Sequence, residues 1–234
     1  MTLAAAITMV LNRVNLSTSN TAYRDRARDY LSFVLGEVTP SVPWWWLDRI
    51  TTFNTVASTR TYKPISGNVG AWYSFVDDTN GRLLSIIGSD EVDALDPEQD
   101  DTGTVEAVCL EGLDATTGYP VIALYRIPNA VISVRVRYRI DLGAFASTQD
   151  GSELLTLGVP RVIENVLIHG ATGLYLEDEG DETLSVREFD RQQRCLDVAR
   201  RQQSQVQGNR RYIPRRSYGE AIILRFGTDT VTAP

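Results

Sequence analysis

The stretch Ala130-Val-Ile-Ser-Val-Arg-Val-Arg-Tyr-Arg-Ile140 alternates with a period of two. Ile132, Val134, Val136, Tyr138 and Ile140 share one side, and Ser133, Arg135, Arg137 and Arg139 share the other. That is the pattern of a strand with one face on a core and one on solvent. Upstream, residues 50–56, 60–64, 71–76, 104–110 and 119–127 are rich in Val, Ile, Thr and aromatics and are separated by Gly, Asn, Asp and Pro. They read as further antiparallel strands, with Pro128-Asn129 turning the chain into the last one.

On both sides of this region the period becomes helical. Thr2 is placed to cap a first helix ending near Arg13, with Leu3, Ile7, Val10 and Leu11 at helical spacing. After a Ser/Thr/Asn-rich break at 15–21, Tyr23, Ala27, Tyr30, Leu31, Val34, Leu35 and Val38 follow one apolar face, with Arg24, Asp25, Arg26, Arg28 and Asp29 on the other. Gly36 and Pro40, followed by Pro43, are expected to close this helix. Downstream, Pro160 suits a helix start, and Val162, Ile163, Val166, Leu167, Gly170, Ala171 and Leu174 form a stripe. Beyond an acidic patch at 177–182, a last helix over about 183–207 carries only Phe189, Leu196, Ala199 and Val206 amid many Arg and Gln, so it packs on one side. The order implies an α+β fold: a helical bundle from N- and C-terminal segments (1–48 and 142–207), an inserted antiparallel β domain (49–141) and an extended C-terminal arm (208–234).

Composition narrows the chemistry. The 234 residues carry a net charge of −7, and Lys63 is the one lysine, so 22 of the 23 basic residues are arginine. Arginine presents a fixed fork suited to carboxylates, phosphates and aromatic faces, a bias toward docking surfaces. Residues 187–234 hold 10 Arg against 5 acids, whereas residues 1–186 hold 13 basic and 25 acidic residues. Cys109 and Cys195 are too few and too far apart for a disulfide scaffold or a CxxC site, and are expected to be free, buried thiols. His169 is the sole histidine, so a multi-histidine zinc site is excluded and any Ser-His-Asp or Cys-His catalysis would run through it. No carboxylate or nucleophile lies near it by local spacing, and it reads as structural. GxSxG, GxGxxG and P-loop signatures are absent. No cofactor or metal is expected. The first apolar run is short and lacks a basic flank, and it encodes neither secretion nor membrane insertion.

Three constellations remain. Trp44-Trp45-Trp46 cannot all face one core, so at least one indole is expected at a junction between domains or subunits rather than in a membrane interface. The segment 90–106 holds eight carboxylates and no basic residue. It lacks EF-hand spacing and reads as a mobile solvated loop, or as an acidic surface that repels a passing polyanion. The arginine face of residues 130–140 is either a solvated face or a nucleic-acid surface, the second disfavoured by the acidic balance. The terminal segment combines Arg210, Arg211, Tyr212, Arg215, Arg216 and Tyr218 with Ile222, Leu224 and Phe226. This is the composition of a docking arm, with a strand completing the chain's own β domain as the competing reading.

Together these features resemble the head-to-tail adaptor (connector) proteins of tailed bacteriophages, of the tail tubular protein A type. The resemblance rests on the helix pair leading into Trp44-Trp45-Trp46-Leu47 and on Thr51-Thr52-Phe53-Asn54-Thr55 followed by Tyr62-Lys63-Pro64. It continues in Tyr125-Arg126-Ile127-Pro128-Asn129 before the alternating strand, and in the Arg/Gln-rich final helix. Lys63 stands where an apolar residue is expected. The resemblance implies a structural, non-enzymatic virion protein: a homo-oligomeric ring of about twelve copies in the neck, assembled in the host cytoplasm. Its partners would be the portal protein, tail or nozzle proteins, and genomic DNA passing through the channel without sequence-specific binding. The alternatives are another tail component, such as a tail terminator or baseplate subunit, or less favoured, a small enzyme or carbohydrate-binding β module.

Overall fold

The structure, a computed structural model, describes residues 1–208. In chain order its elements are α1 (Leu3–Arg13), α2 (Thr21–Ser41), β1 (Asp48–Asn54), β2 (Thr61–Tyr62), β3 (Val69–Asp77), β4 (Arg82–Ile87), α3 (Ser89–Leu95), β5 (Thr102–Gly103), β6 (Ala107–Leu113), β7 (Pro120–Tyr125), β8 (Ile127–Pro128), β9 (Ser133–Ile140), α4 (Arg161–Asp178) and α5 (Glu182–Gly208). They divide into two units: Met1–Trp46 together with the chain from Gly143, and Leu47–Leu142. The fold is α+β, with helical segments flanking a β domain in the sequence.

In the helical unit, α4 is the hub. Eleven of its 18 residues are buried, among them Ile168, Thr172 and Tyr175 outside the stripe expected from the sequence. So many buried positions cannot fit one helix face. The helix is covered instead by α1, α2 and α5, each of which packs against it. Thr172 meets the cost of a buried hydroxyl by donating to Ile168 O at 2.7 Å.

The approach of α5 depends on two glycines of α4. A methyl group at Gly173 would lie 2.7 Å from the Phe189 ring, and one at Gly170 would lie 2.6 Å from Gln192 Nε2 and 2.8 Å from Val34 Cγ1. All three distances are well inside van der Waals contact, so these positions admit only hydrogen.

Local capping follows the sequence. Thr2 Oγ1 accepts from Ala5 N at 3.2 Å, and Asn20 Oδ1 accepts from Ala22 N at 2.9 Å. The first turn of α1 is completed by a loop far away in sequence: Leu3 N donates to Ser152 O and Ala4 N to Asp150 O. The Asp150 carboxylate in turn accepts from Arg28 Nε at 3.0 Å, Arg28 Nη2 at 3.1 Å and Arg24 Nη2 at 3.0 Å. Asp150 thus joins α1, α2 and the approach to α4. One expectation fails here: α2 is not closed at Gly36 or Pro40 but runs to Ser41. The carbonyl that Pro40 leaves without a helical donor belongs to Gly36, an exposed residue that water reaches. Burial of Val34, Leu35, Val38 and Thr39 carries the helix past both breakers.

In the β unit seven strands form a curled mixed sheet in the order β1-β9-β3-β4-β6-β7-β2. The alternating strand behaves as read: Val134, Val136 and Tyr138 are buried, and the arginines between them lie on the opposite face. The inner face gathers Phe75, Leu84, Val108, Ile122, Leu124, Val134 and Val136 into one core. The two edge strands approach each other there, with the Phe53 and Tyr62 rings 5.2 Å apart. Tyr62 OH also lies within hydrogen-bond reach of Val56 O and Thr59 O in the intervening loop, at 3.0 and 2.8 Å.

Strand β4 was not legible, because Leu83 and Ile86 are exposed and Arg-Leu-Leu-Ser-Ile-Ile shows no clean alternation. It pairs antiparallel with β3 and parallel with β6, which makes the sheet mixed rather than wholly antiparallel. The parallel step needs a crossover, and the acidic segment provides it.

The glycine geometry gives a differential prediction. Gly173→Ala should destabilise the helical unit by about 1–3 kcal/mol through overpacking on Phe189. Gly36→Ala, where nothing lies within 4 Å, should be neutral or stabilising by up to about 1 kcal/mol. Urea denaturation of the two variants separates them, and equal effects would contradict the packing.

Candidate functional site

The chain passes from the helical to the β unit just after the tryptophan triplet. Trp44 and Trp46 are buried, with ring centroids 6.0 Å apart, while Trp45 is 46% exposed. The three indoles do not share one environment, as the sequence required. Trp44 Nε1 donates to Val38 O at 2.8 Å, taking up a carbonyl near the end of α2. The turn itself is held from α5: Gln203, buried at 3% exposure, accepts from Trp45 N at 3.1 Å and donates to Pro43 O at 2.7 Å. Gln203 was not singled out in the sequence, where it is one glutamine among many in an Arg/Gln-rich helix. Its only signal was spacing, four residues beyond Ala199 on the apolar line.

The inner line of α5 is more polar than its sequence suggests. Ser185, Glu188, Leu196, Ala199 and Gln203 are buried, with Phe189, Gln192 and Cys195 half-buried. Glu188 is the centre of a charge cluster that draws on three helices. Its Oε2 lies 2.6 Å from His169 Nδ1 on α4 and 3.1 Å from Arg13 Nη1 on α1, and Arg191 Nη1 contacts Oε1. Arg13 Nη1 also lies 2.7 Å from His169 Nδ1. A protonated Nδ1 donates to Glu188, and an unprotonated one accepts from Arg13.

His169 therefore has the carboxylate partner that local spacing did not show, supplied from nineteen residues away. Burial pushes the Glu188 carboxyl up, but the His169 hydrogen bond and the charges of His169, Arg13 and Arg191 outweigh it and hold the group below its ordinary value. Asp150 follows the same balance, with burial opposed by Arg28 and Arg24.

The acidic segment is not the plain mobile loop expected. It contains α3, whose Val92 is buried against Cys109 and Ala123. Asp96, also buried, accepts from the backbone N–H groups of Asp100 and Asp101 at 3.3 and 3.1 Å. Asp90, Glu91, Asp93, Glu98 and Asp100 remain exposed. Among the described residues no group of three His, Cys, Asp or Glu is placed to hold a metal ion, and no helix is long and apolar enough to cross a membrane. Cys109 is buried, and burial pushes its thiol up; Cys195 is half-buried rather than buried, and both are free.

On the arginine face of β9, Arg135 pairs with Asp78 at 2.9 Å. Arg139 pairs with Asp48 at 3.5 Å and lies over the Tyr73 ring. The docking residues Arg210, Arg211, Tyr212, Arg215, Arg216, Tyr218, Ile222, Leu224 and Phe226 lie outside the described residues. No family model matches the chain, and comparison with curated proteins finds no match.

The charge cluster sets an acid limit. A carboxylate held below its ordinary value contributes stability that is fully present above that ordinary value and lost as pH falls through the folded one. The contribution of Glu188 to the helical unit should be constant from pH 7 to about 5 and decline as pH falls below the ordinary carboxylate range. Glu188→Gln should cost about 2 kcal/mol at neutral pH, with the gap to the parent narrowing in acid. Denaturation at stepped pH reads both, and a gap independent of pH would contradict the assignment.

Proposed function

We propose that the chain is a structural, non-enzymatic subunit of a ring, the head-to-tail adaptor in the neck of a tailed-phage virion. It would join portal to tail around the DNA channel, with about twelve copies meeting through two different faces. The observation that carries this reading is the use α5 makes of its surface. A helix of 27 residues, about 40 Å long, commits one narrow line of side chains to its own unit. It leaves Arg187, Arg191, Arg194, Arg200 and Arg201 exposed, together with Leu184, Val186 and Val198 at 41%, 61% and 50%. A long helix with arginines and apolar side chains facing solvent suits contacts with neighbouring subunits. The sequence resemblance points the same way. The acidic balance of residues 1–186 fits a protein that lets DNA pass without holding it. The arginine-rich segment 208–234 then serves as the arm that grips the portal.

Native mass spectrometry of the purified chain tests the reading. A closed ring of about twelve copies is expected. A sixfold or threefold ring would instead indicate a tail terminator or baseplate subunit, and a chain that stays monomeric would overturn assembly altogether. Removing residues 208–234 should abolish binding to portal rings while the subunits still assemble with one another.

A further inference from the structure

The outer face of the curled sheet has two unlike halves. Over β4, β6 and β7 it is covered by α3, through Val92 packed on Ile87, Cys109, Ala123 and Tyr125. Over β1, β9 and β3 it bears half-buried arginines and the exposed Tyr73 ring. There Arg135, Arg137 and Arg139 stand in a row at every second residue, about 7 Å apart. Ile50, 62% exposed, lies directly opposite Arg137 in the register of β1 with β9. The flanking arginines are held by Asp78 and Asp48. Arg137, between them, makes no ion pair with a described residue.

We propose that this face docks a second copy of the chain, through that copy's α3. The complementarity is in both charge and apolar surface. Helix α3 exposes Asp90, Glu91 and Asp93, with Leu95 exposed at 53% beside them, and no basic residue occurs between Arg82 and Arg126. Acid and leucine on one surface thus answer arginine and isoleucine on the other. Exposed ion pairs contribute little affinity individually, so burial of Leu95 on Ile50 supplies the attraction and the charges fix partner and orientation. The docking face lies over β9 and its occupant over β6, so the contact is heterologous and propagates from copy to copy. A nucleic-acid backbone suits the same face less well, because Ile50 offers phosphate nothing and the chain carries a net charge of −7. The inference rests on the reading that the chain assembles with copies of itself, and it names the contact.

The test uses the full chain with Arg137→Glu, and separately with Glu91→Arg plus Asp93→Arg, in sedimentation velocity over a concentration series. Each variant alone should self-associate at least about tenfold more weakly than the parent. An equimolar mixture should recover the parent's association, because each altered face then meets its altered counterpart. Recovery also shows that both variants are folded. Full assembly of Arg137→Glu alone would overturn this contact and leave the ring reading standing. Association lost in both variants and not recovered on mixing would overturn the pairing. A parent chain that stays monomeric would overturn both. If Arg137→Glu instead loses retention of a duplex DNA oligonucleotide while assembling normally, the face belongs to phosphate and the proposal fails.

Discussion

A helix that is buried on several sides is stable only if other elements cover each of those sides, and α4 imposes that requirement on the rest of the helical unit. Ile163, Val166, Leu167, Ala171 and Tyr175 are all 0% exposed, and their burial takes α1 and α2 from one end of the chain and α5 from the other. A helix the length of α1 is marginal on its own in water. Leu3 N and Ala4 N of its first turn find their acceptors in the loop at residues 150–152, and its Arg13 pairs with Glu188 on α5. The helical unit is therefore made jointly by the two halves of the sequence, and the β domain is an insertion between them. Asp150 and Glu188 reinforce this arrangement electrostatically, each gathering cations from elements distant in sequence.

What could be read from the sequence follows from where the information lies. Period-two alternation in residues 130–140 and the apolar face of residues 23–38 are local patterns, and both elements form as their spacing requires. Strand β4 is apolar without alternation because Leu83 and Ile86, half of its hydrophobic side chains, are exposed. Its parallel pairing with β6 is a tertiary fact that no local pattern records. The breakers Gly36 and Pro40 were overruled by tertiary burial. In the candidate site, the unequal fates of three adjacent tryptophans followed from geometry alone. Gln203, and the partnership of His169 with Glu188, arise from the packing of α5 on α4 and had no sequence signature beyond helical spacing. Gly170 was visible as a member of a stripe and Gly173 was not, and the reason for the small size of both is the side chains of Gln192, Val34 and Phe189 above them.

The surface left over after folding carries the functional account. α5 spends one line of residues on its own unit. The sheet presents a row of half-buried arginines, and α3 offers acid and leucine a few strands away. A subunit bearing unlike, complementary patches is suited to chains or closed rings rather than twofold dimers. The proposed adaptor role draws on this asymmetry more than on any single residue. It also accommodates the unusual preference for arginine, since a rigid fork orients a contact that a lysine would leave loose.

Native-state hydrogen exchange on the helical unit tests most directly the claim that α4 binds the two halves of the chain into one structure. The slowest amides of α1, α2 and α4 should share a common opening free energy, because none of these helices persists without the others. Exchange of α1 and α2 about a hundredfold faster than α4, with α4 remaining protected, would show that the N-terminal helices are accessories and would contradict the account.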